Sequence, residues 1–170
     1  MRGMYQMFGQ FKKQLGQLRT WLTAAGAHAE TKKFDPNLFL GFRLAPDQFA
    51  FARQVQIACD TARTGALYLI GKPVSAQPET EASLGELDAR IASVISFLDG
   101  LSATDFEGAA MRVVSQPRWE GKVMSGGDYY IEHVVPNFFF HLNHCYAILR
   151  HNGVGLGKKD YLGNRSLRAP

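Results

Sequence analysis

Four long stretches of this chain repeat apolar residues every three or four positions, and breaks rich in proline and glycine separate them. This spacing is the period of an α-helix that has one apolar face. The first stretch runs from about Tyr5 to Glu30, and its apolar positions are Phe8, Phe11, Leu15, Leu18 and Leu22. Four such helices can bury their apolar faces against one another, so the pattern predicts an all-α four-helix bundle.

Local residue chemistry suggests where the second and third helices begin and end. The second helix is predicted to begin near Pro46, because proline is favoured in a first turn and Asp47 would lie at the positive helix end. Gly71 is its expected end, since glycine adopts the left-handed conformation that closes many helices. In the third helix, Ser83 precedes Glu86 by three residues, which is the spacing of a capping box.

The connection between the third and fourth helices is long and has no helical period. Within residues 101–125, two short apolar runs flank a polar turn, which predicts a short hairpin. The fourth helix is expected to begin with Asp128 as its N-cap, to run to Asn152, and to kink near Pro136. Residues 1–163 are then predicted to form a single domain, and residues 164–170 a flexible tail.

Composition narrows the class of protein. A chain of 170 residues with 46% hydrophobic and 20% charged residues is long enough to bury one core. No apolar run approaches the roughly 18 residues that a membrane span needs, and no signal peptide is evident, so we expect a cytoplasmic protein without a membrane partner. The net charge of +4 is not concentrated in one stripe, which argues against nucleic acid as a partner. The two cysteines are expected to be buried small hydrophobes.

The fourth helix carries a cluster of polar side chains inside an aromatic-rich pattern. Stepping 100° per residue places His141 at the edge of the apolar arc and Asn137 one turn earlier on nearly the same face. His144 falls closer to the polar face, and His151 is expected to be solvated. Two hypotheses follow, either a ligand or metal site centred on His141, or a buried histidine satisfied by hydrogen bonds to neighbouring helices. Phe140 lies away from the apolar arc, and it is either a dimer contact or an ordinary exposed residue.

Four segments of the sequence carry a resemblance to a known family. They are Leu44–Asp47, Phe51–Ala58, Pro136–Phe138 with His141, and Ala147–Val154. As a set they resemble a bacterial family of unknown function that is grouped with the DinB/YfiT-like four-helix bundles, over about Met4 to Gly163. The resemblance implies an up-down-down-up bundle that forms a homodimer.

The resemblance also implies where a metal site would lie. Many DinB-like proteins hold zinc or nickel with one histidine from the second helix and two from an HxxxH motif on the fourth, and some of them transfer thiols or isomerise thiol adducts. The register places the second motif histidine on His141 and the first on Asn137. The ligand from the second helix would fall on Gln54, or alternatively on Gln56. A neutral amide is a weak ligand for these metals, so the metal site is expected to be largely lost.

The sequence is compatible with three hypotheses about function. The first is a bundle without a cofactor that binds a small polar ligand through His141, Asn137, Gln54 and Gln56, or that is purely structural. The second is a zinc- or nickel-dependent thiol transferase or isomerase, with His141 as a metal ligand and either His144 or a carboxylate such as Asp60 as a substitute for a lost ligand. The third is a dimeric interaction protein that works through its surface.

Overall fold

The computed structural model describes residues 2–169, and four long helices dominate the fold. Helix α1 spans Arg2–Lys32, α2 spans Phe51–Ile70 and α3 spans Leu84–Asp99. The fourth long helix packs along α2 in the most extensive contact between two helices. The predicted all-α four-helix bundle is therefore confirmed.

The fourth long helix, α4, has three consecutive parts. A first turn at Gly126–Asp128 leads into a π-helical turn at Tyr129–Val134, and the helix continues as Val135–His151. Just before Pro136, where the sequence predicts a kink, the N–H of Val135 donates to the carbonyl of Tyr130, five residues earlier, in the π-helical turn. Proline lacks an N–H, so an α-helical hydrogen bond at its own position is unavailable.

Two predicted helix starts are wrong. Ser125, not Asp128, is the N-cap of α4, and its Oγ accepts from the N–H of Asp128. Helix α2 begins at Phe51, not near Pro46. The N–H of Gln48 instead donates to the carbonyl of Ala45, so Pro46 and Asp47 form the centre of a tight turn. Proline suits the second position of such a turn as well as it suits a first helical turn.

The segments that join the helices are short helical turns and one hairpin. The turns are 3-10 turns at Pro36–Gly41, Ala103–Phe106, Ala109–Met111 and Pro117–Trp119. Strands β1, Val113–Ser115, and β2, Val123–Ser125, pair in antiparallel register, with Val114 opposite Met124. The predicted hairpin in the long connection is therefore confirmed.

The end of α2 and the start of α3 agree with the local chemistry. Gly71 ends α2 with a φ of 71°. Ser83 caps α3 by accepting from the N–H of Glu86. The carboxylate of Glu86 bonds the N–H of Ala82 rather than that of Ser83, so the reciprocal half of the capping box is shifted by one residue.

Small residues on α2 let α4 come close. Ala58, Ala62 and Ala66 are fully buried, and a Cβ at Gly65 would lie 2.8 Å from Cγ1 of Val134. The side chains of Cys59 and Cys145 are buried in the core, as predicted.

After α4, a short helix, α5, spans Lys158–Leu162. Residues 164–169 are exposed and irregular, and the flexibility of this tail stays a prediction. None of the helices within residues 2–169 is both long enough and apolar enough to cross a membrane. The cytoplasmic location and the lack of a nucleic-acid partner also stay predictions.

Candidate functional site

The side chain of His141 points from α4 towards α2 and is only 6% exposed. Its Nδ1 lies 2.7 Å from Oε1 of Gln54, whose Nε2 donates to the carbonyl of Phe49 at 3.1 Å. Because the Gln54 nitrogen faces a carbonyl, its oxygen must face His141. Nδ1 of His141 therefore carries the proton and donates it. The second ring nitrogen, Nε2, keeps a free lone pair.

His141 is a neutral group at physiological pH. Burial lowers the pKa of its imidazole to about 4, with smaller contributions from His144 and Arg53. Within residues 2–169, Nε2 has no hydrogen-bond partner, and it is not among the polar atoms that are fully enclosed. It is therefore an accessible acceptor at the base of a cleft.

Asn137 lies one helical turn before His141 and is half-buried. Its Nδ2 donates to Oγ1 of Thr61 at 2.7 Å, and Thr61 in turn donates to the carbonyl of Ile57. Since the Thr61 proton is already used, its oxygen must be the acceptor from Asn137. This fixes the amide of Asn137 and leaves its Oδ1 available to a ligand.

His144 stands beside this pair, but both of its nitrogens are occupied. Nδ1 lies 2.7 Å from the carbonyl of Phe140, so it is the donor. Nε2 then accepts from Nε2 of Gln48 at 3.0 Å. The ring of Phe140 contacts the rings of both histidines, with centroids 4.2 Å from His144 and 5.2 Å from His141. His144 therefore supports the wall of the site.

Gln56 and Asp60 are not brought to His141. Gln56 donates to Glu81 at 2.9 Å, and Asp60 accepts from Arg90 at 2.6 Å. Arg90 also bonds Glu81 and is 92% buried, so these groups form an ion cluster between α2, α3 and the segment before α3. The prediction that Gln56 shares the ligand site with His141 is not supported by its position, and Asp60 is not placed to replace a lost metal ligand.

A cleft of about 500 Å³ opens over His141. It is lined by Asp47, Gln48, Phe49, Gln54, Asn137, Phe140 and His141. The first three come from the loop before α2, a segment that the sequence pattern predicts to be helical. Phe49 and Phe140 are 57% and 54% exposed, so the cleft has apolar walls at its rim and a polar base.

A second cleft of about 350 Å³ shares Asn137 with the first. It contains Arg53, Asp60 and Arg118, and also His133, whose Nε2 lies 3.1 Å from the guanidinium of Arg118. Guanidinium only donates, so His133 Nε2 accepts, and burial together with Arg118 lowers the pKa of His133. This cleft carries charges of both signs, unlike the first.

The residues present do not fit a three-histidine metal centre. At the three motif positions stand His141, Asn137 and Gln54, and the oxygen of Gln54 is used by His141. A neutral amide is in any case a weak ligand for zinc or nickel. Among residues 2–169, no group of three or more histidine, cysteine, aspartate or glutamate side chains is placed to hold a metal ion.

The chain matches a protein family and a solved structure. Residues 4–162 match a family described as a domain of unknown function, DUF1993. The fold is similar to the crystal structure of a DinB family member protein from Shewanella denitrificans, with a TM-score of 0.92 and 48% sequence identity. That alignment covers 96% of this chain and 93% of the other. No functionally curated protein matches the chain.

Proposed function

Since the chain belongs to the DUF1993 family within the DinB-like superfamily of helical bundles, we propose that it binds a small polar ligand in the cleft over His141. The observation that carries this proposal is the accessible lone pair of His141 Nε2 at the base of the cleft. Buried histidines with a structural role usually have both ring nitrogens satisfied by the protein, as His144 has.

The shape and lining of the cleft support the same function. Its volume of about 500 Å³ lies in the range of small-molecule sites, which are mostly apolar with a few convergent polar groups. Here the apolar rim is Phe49 and Phe140, and the polar base is His141 and Asn137. Hydrogen bonds to Gln54 and Thr61 hold both base groups in place before a ligand arrives, which reduces the entropy lost on binding.

A screen of chemically diverse fragments tests the proposal. We expect the bound fragments to shift the backbone NMR signals of Phe49, Asn137 and Phe140 in the labelled protein. His141→Gln removes the imidazole nitrogen and should weaken these fragments at least tenfold. His151→Gln makes the same change at an exposed position of α4 and should leave binding unchanged. Fragments that bind elsewhere, or that bind His141→Gln equally well, would contradict the proposal.

The metal-dependent alternative has its own measurement. Elemental analysis of protein purified without a chelator would show stoichiometric zinc or nickel if the alternative is right, and His141→Gln would lose that metal. Such a result would replace the proposed polar-ligand site with a metal centre. The homodimer that the family resemblance implies is a separate proposal, and exposed Phe140 is the residue through which it can be tested.

A further inference from the structure

We propose that the ligand of the His141 cleft is an organic cation, namely a protonated amine, amidine or guanidine that donates hydrogen bonds to the base of the cleft. This inference depends on the proposed function, because it names the chemical class of that same ligand. It is carried by the charges, the acceptors and the aromatic rings that line the cleft.

The charges of the lining favour a positive ligand. Asp47 is the charged side chain among the residues that line the cleft, and the lining contains neither lysine nor arginine. Two arginines lie near the cleft without lining it: Arg53 forms an ion pair with Glu79, and Arg43 donates to the carbonyl of Pro46. The carboxylate of Asp47, by contrast, has no salt-bridge partner within residues 2–169. Among the lining residues themselves, an anionic ligand would meet one negative group and no positive group.

The polar atoms at the base of the cleft are acceptors. Nε2 of His141 is an acceptor because Nδ1 carries the proton. Oδ1 of Asn137 can also accept a hydrogen bond, because it is the Nδ2 of that amide that bonds Thr61. Ammonium, amidinium and guanidinium groups carry several N–H donors and no acceptor. A carboxylate or phosphate would place its own lone pairs against these acceptors.

The wall of the cleft adds a further negative dipole. Nε2 of Gln48 donates to His144, which fixes the direction of the amide. Its Oε1 is enclosed and has no hydrogen-bond partner among the described residues. An unpaired amide oxygen in a weakly solvated wall stabilises positive charge in the adjacent space, since electrostatic interactions are stronger there than in water.

The aromatic rim provides the last element of cation recognition. Phe49 and Phe140 both line the cleft and present exposed rings. The face of an aromatic ring attracts cations. One cation, the guanidinium of Arg53, already lies 5.8 Å from the ring centroid of Phe49, so the exposed ring of Phe140 is the one left for a ligand. A flat cation such as an amidinium can contact a ring while it donates to His141 and Asn137.

Three probes of nearly identical shape test the charge preference. Benzamidine is a cation at pH 7.5, benzamide is neutral and benzoate is an anion. In NMR titrations of the labelled protein, we expect benzamidine to shift the signals of Phe49, Asn137 and Phe140 with a Kd at least tenfold lower than that of either analogue. Asp47→Asn should weaken benzamidine at least threefold. Glu30→Gln, which removes an exposed carboxylate from α1, should leave its Kd unchanged.

The outcomes separate this inference from the proposed function. If benzamide or benzoate, or fragments without positive charge, bind this cleft as tightly as benzamidine, the cation is overturned while a polar-ligand site stands. If neither these probes nor any diverse fragment shifts the cleft signals, both proposals are overturned. A titration of the protein with zinc ions alone completes the test. Stoichiometric zinc at His141 that benzamidine does not displace would overturn the organic cation in favour of a metal.

Discussion

Gln54 determines which nitrogen of His141 carries the proton. The amide donates to the carbonyl of Phe49 and so must offer its oxygen to His141, which then donates from Nδ1. Gln54 therefore orients this imidazole in the way that a carboxylate or a backbone carbonyl orients a histidine that binds a metal. In this chain the oriented nitrogen, Nε2, faces an open cleft.

His141 should make the stability of the protein depend on pH in a defined window. Burial lowers its folded-state pKa to about 4, whereas the unfolded value is 6.5. At pH values between about 4 and 6.5, this histidine binds a proton in the unfolded chain but not in the folded protein. The stability that this residue contributes is thus complete above pH 6.5 and is lost as the pH falls to 4, by about 3 kcal/mol.

Urea unfolding of the wild type and of His141→Gln at pH 7.5, 6.0, 5.0 and 4.5 measures this effect. The variant cannot titrate at this position, so its free energy of unfolding should fall less steeply with acid. His151→Gln, altered at an exposed histidine, should keep the wild-type slope. Parallel curves for the wild type and His141→Gln would show that His141 is not protected from protonation.

At the scale of elements, the long helices could be predicted because their apolar stripes are periodic. The end of α2 at Gly71 and the start of α3 at Ser83 followed from cap chemistry that has few alternatives. The start of α2 did not, because Pro46 and Asp47 suit a tight turn as well as a helix start. The hydrogen bond from the N–H of Gln48 to the carbonyl of Ala45 closes the turn, and a longer-range bond from the N–H of Phe51 to the carbonyl of Phe42 accompanies it.

The same limit applies to the site. The buried position of His141, with Asn137 one turn before it, followed from helix geometry. Gln54 and Gln56 are two residues apart and face different sides of α2, so the helix register alone left both as candidates until the position of α4 was known. Asp47, Gln48 and Phe49 come from a loop without a period, and no pattern in the sequence placed them over His141.

Gly126, where the hairpin joins α4, has the least space for a side chain of any glycine in the described chain. A Cβ on Gly126 would lie 1.9 Å from the carbonyl oxygen of Ala109, which is a backbone atom and not the end of a flexible side chain. Gly126→Ala should therefore cost roughly 3 kcal/mol, because neither partner can move independently. Gly127→Ala is the matched control, since its nearest neighbour is at 3.5 Å. Thermal unfolding that affects both variants equally would contradict this account.

At the scale of the whole molecule, the cleft exists because α2 begins only at Phe51, which leaves the residues before it in a loop. The loop before α2 is free to fold over the α2–α4 groove, where it contributes Gln48 and Phe49. On the other side of α2, buried Arg90 joins Asp60 to Glu81 and to the carbonyl of Pro78, which ties the segment before α3 to the bundle. The two flanks of α2 therefore have different roles, one as a structural ion cluster and the other as an open polar site.

Phe140 connects the cleft to the question of assembly. Its ring is 54% exposed and contacts His141 and His144, so it is available either to a ligand or to a second copy of the chain. If the predicted homodimer uses this residue, Phe140→Asp should convert the dimer to a monomer in light scattering after size exclusion. Burying an unpaired carboxylate in an apolar contact is strongly unfavourable.

Ile131→Asp is the matched control, since Ile131 is an exposed apolar residue earlier on α4, at 67% exposure. It should leave the mass unchanged if the dimer contact is centred on Phe140. A wild-type protein that is monomeric at all concentrations, or a Phe140→Asp variant that stays dimeric, would make the prediction of a dimer through Phe140 wrong. The exposed ring would then be explained by the cleft alone, as a wall that contacts the ligand.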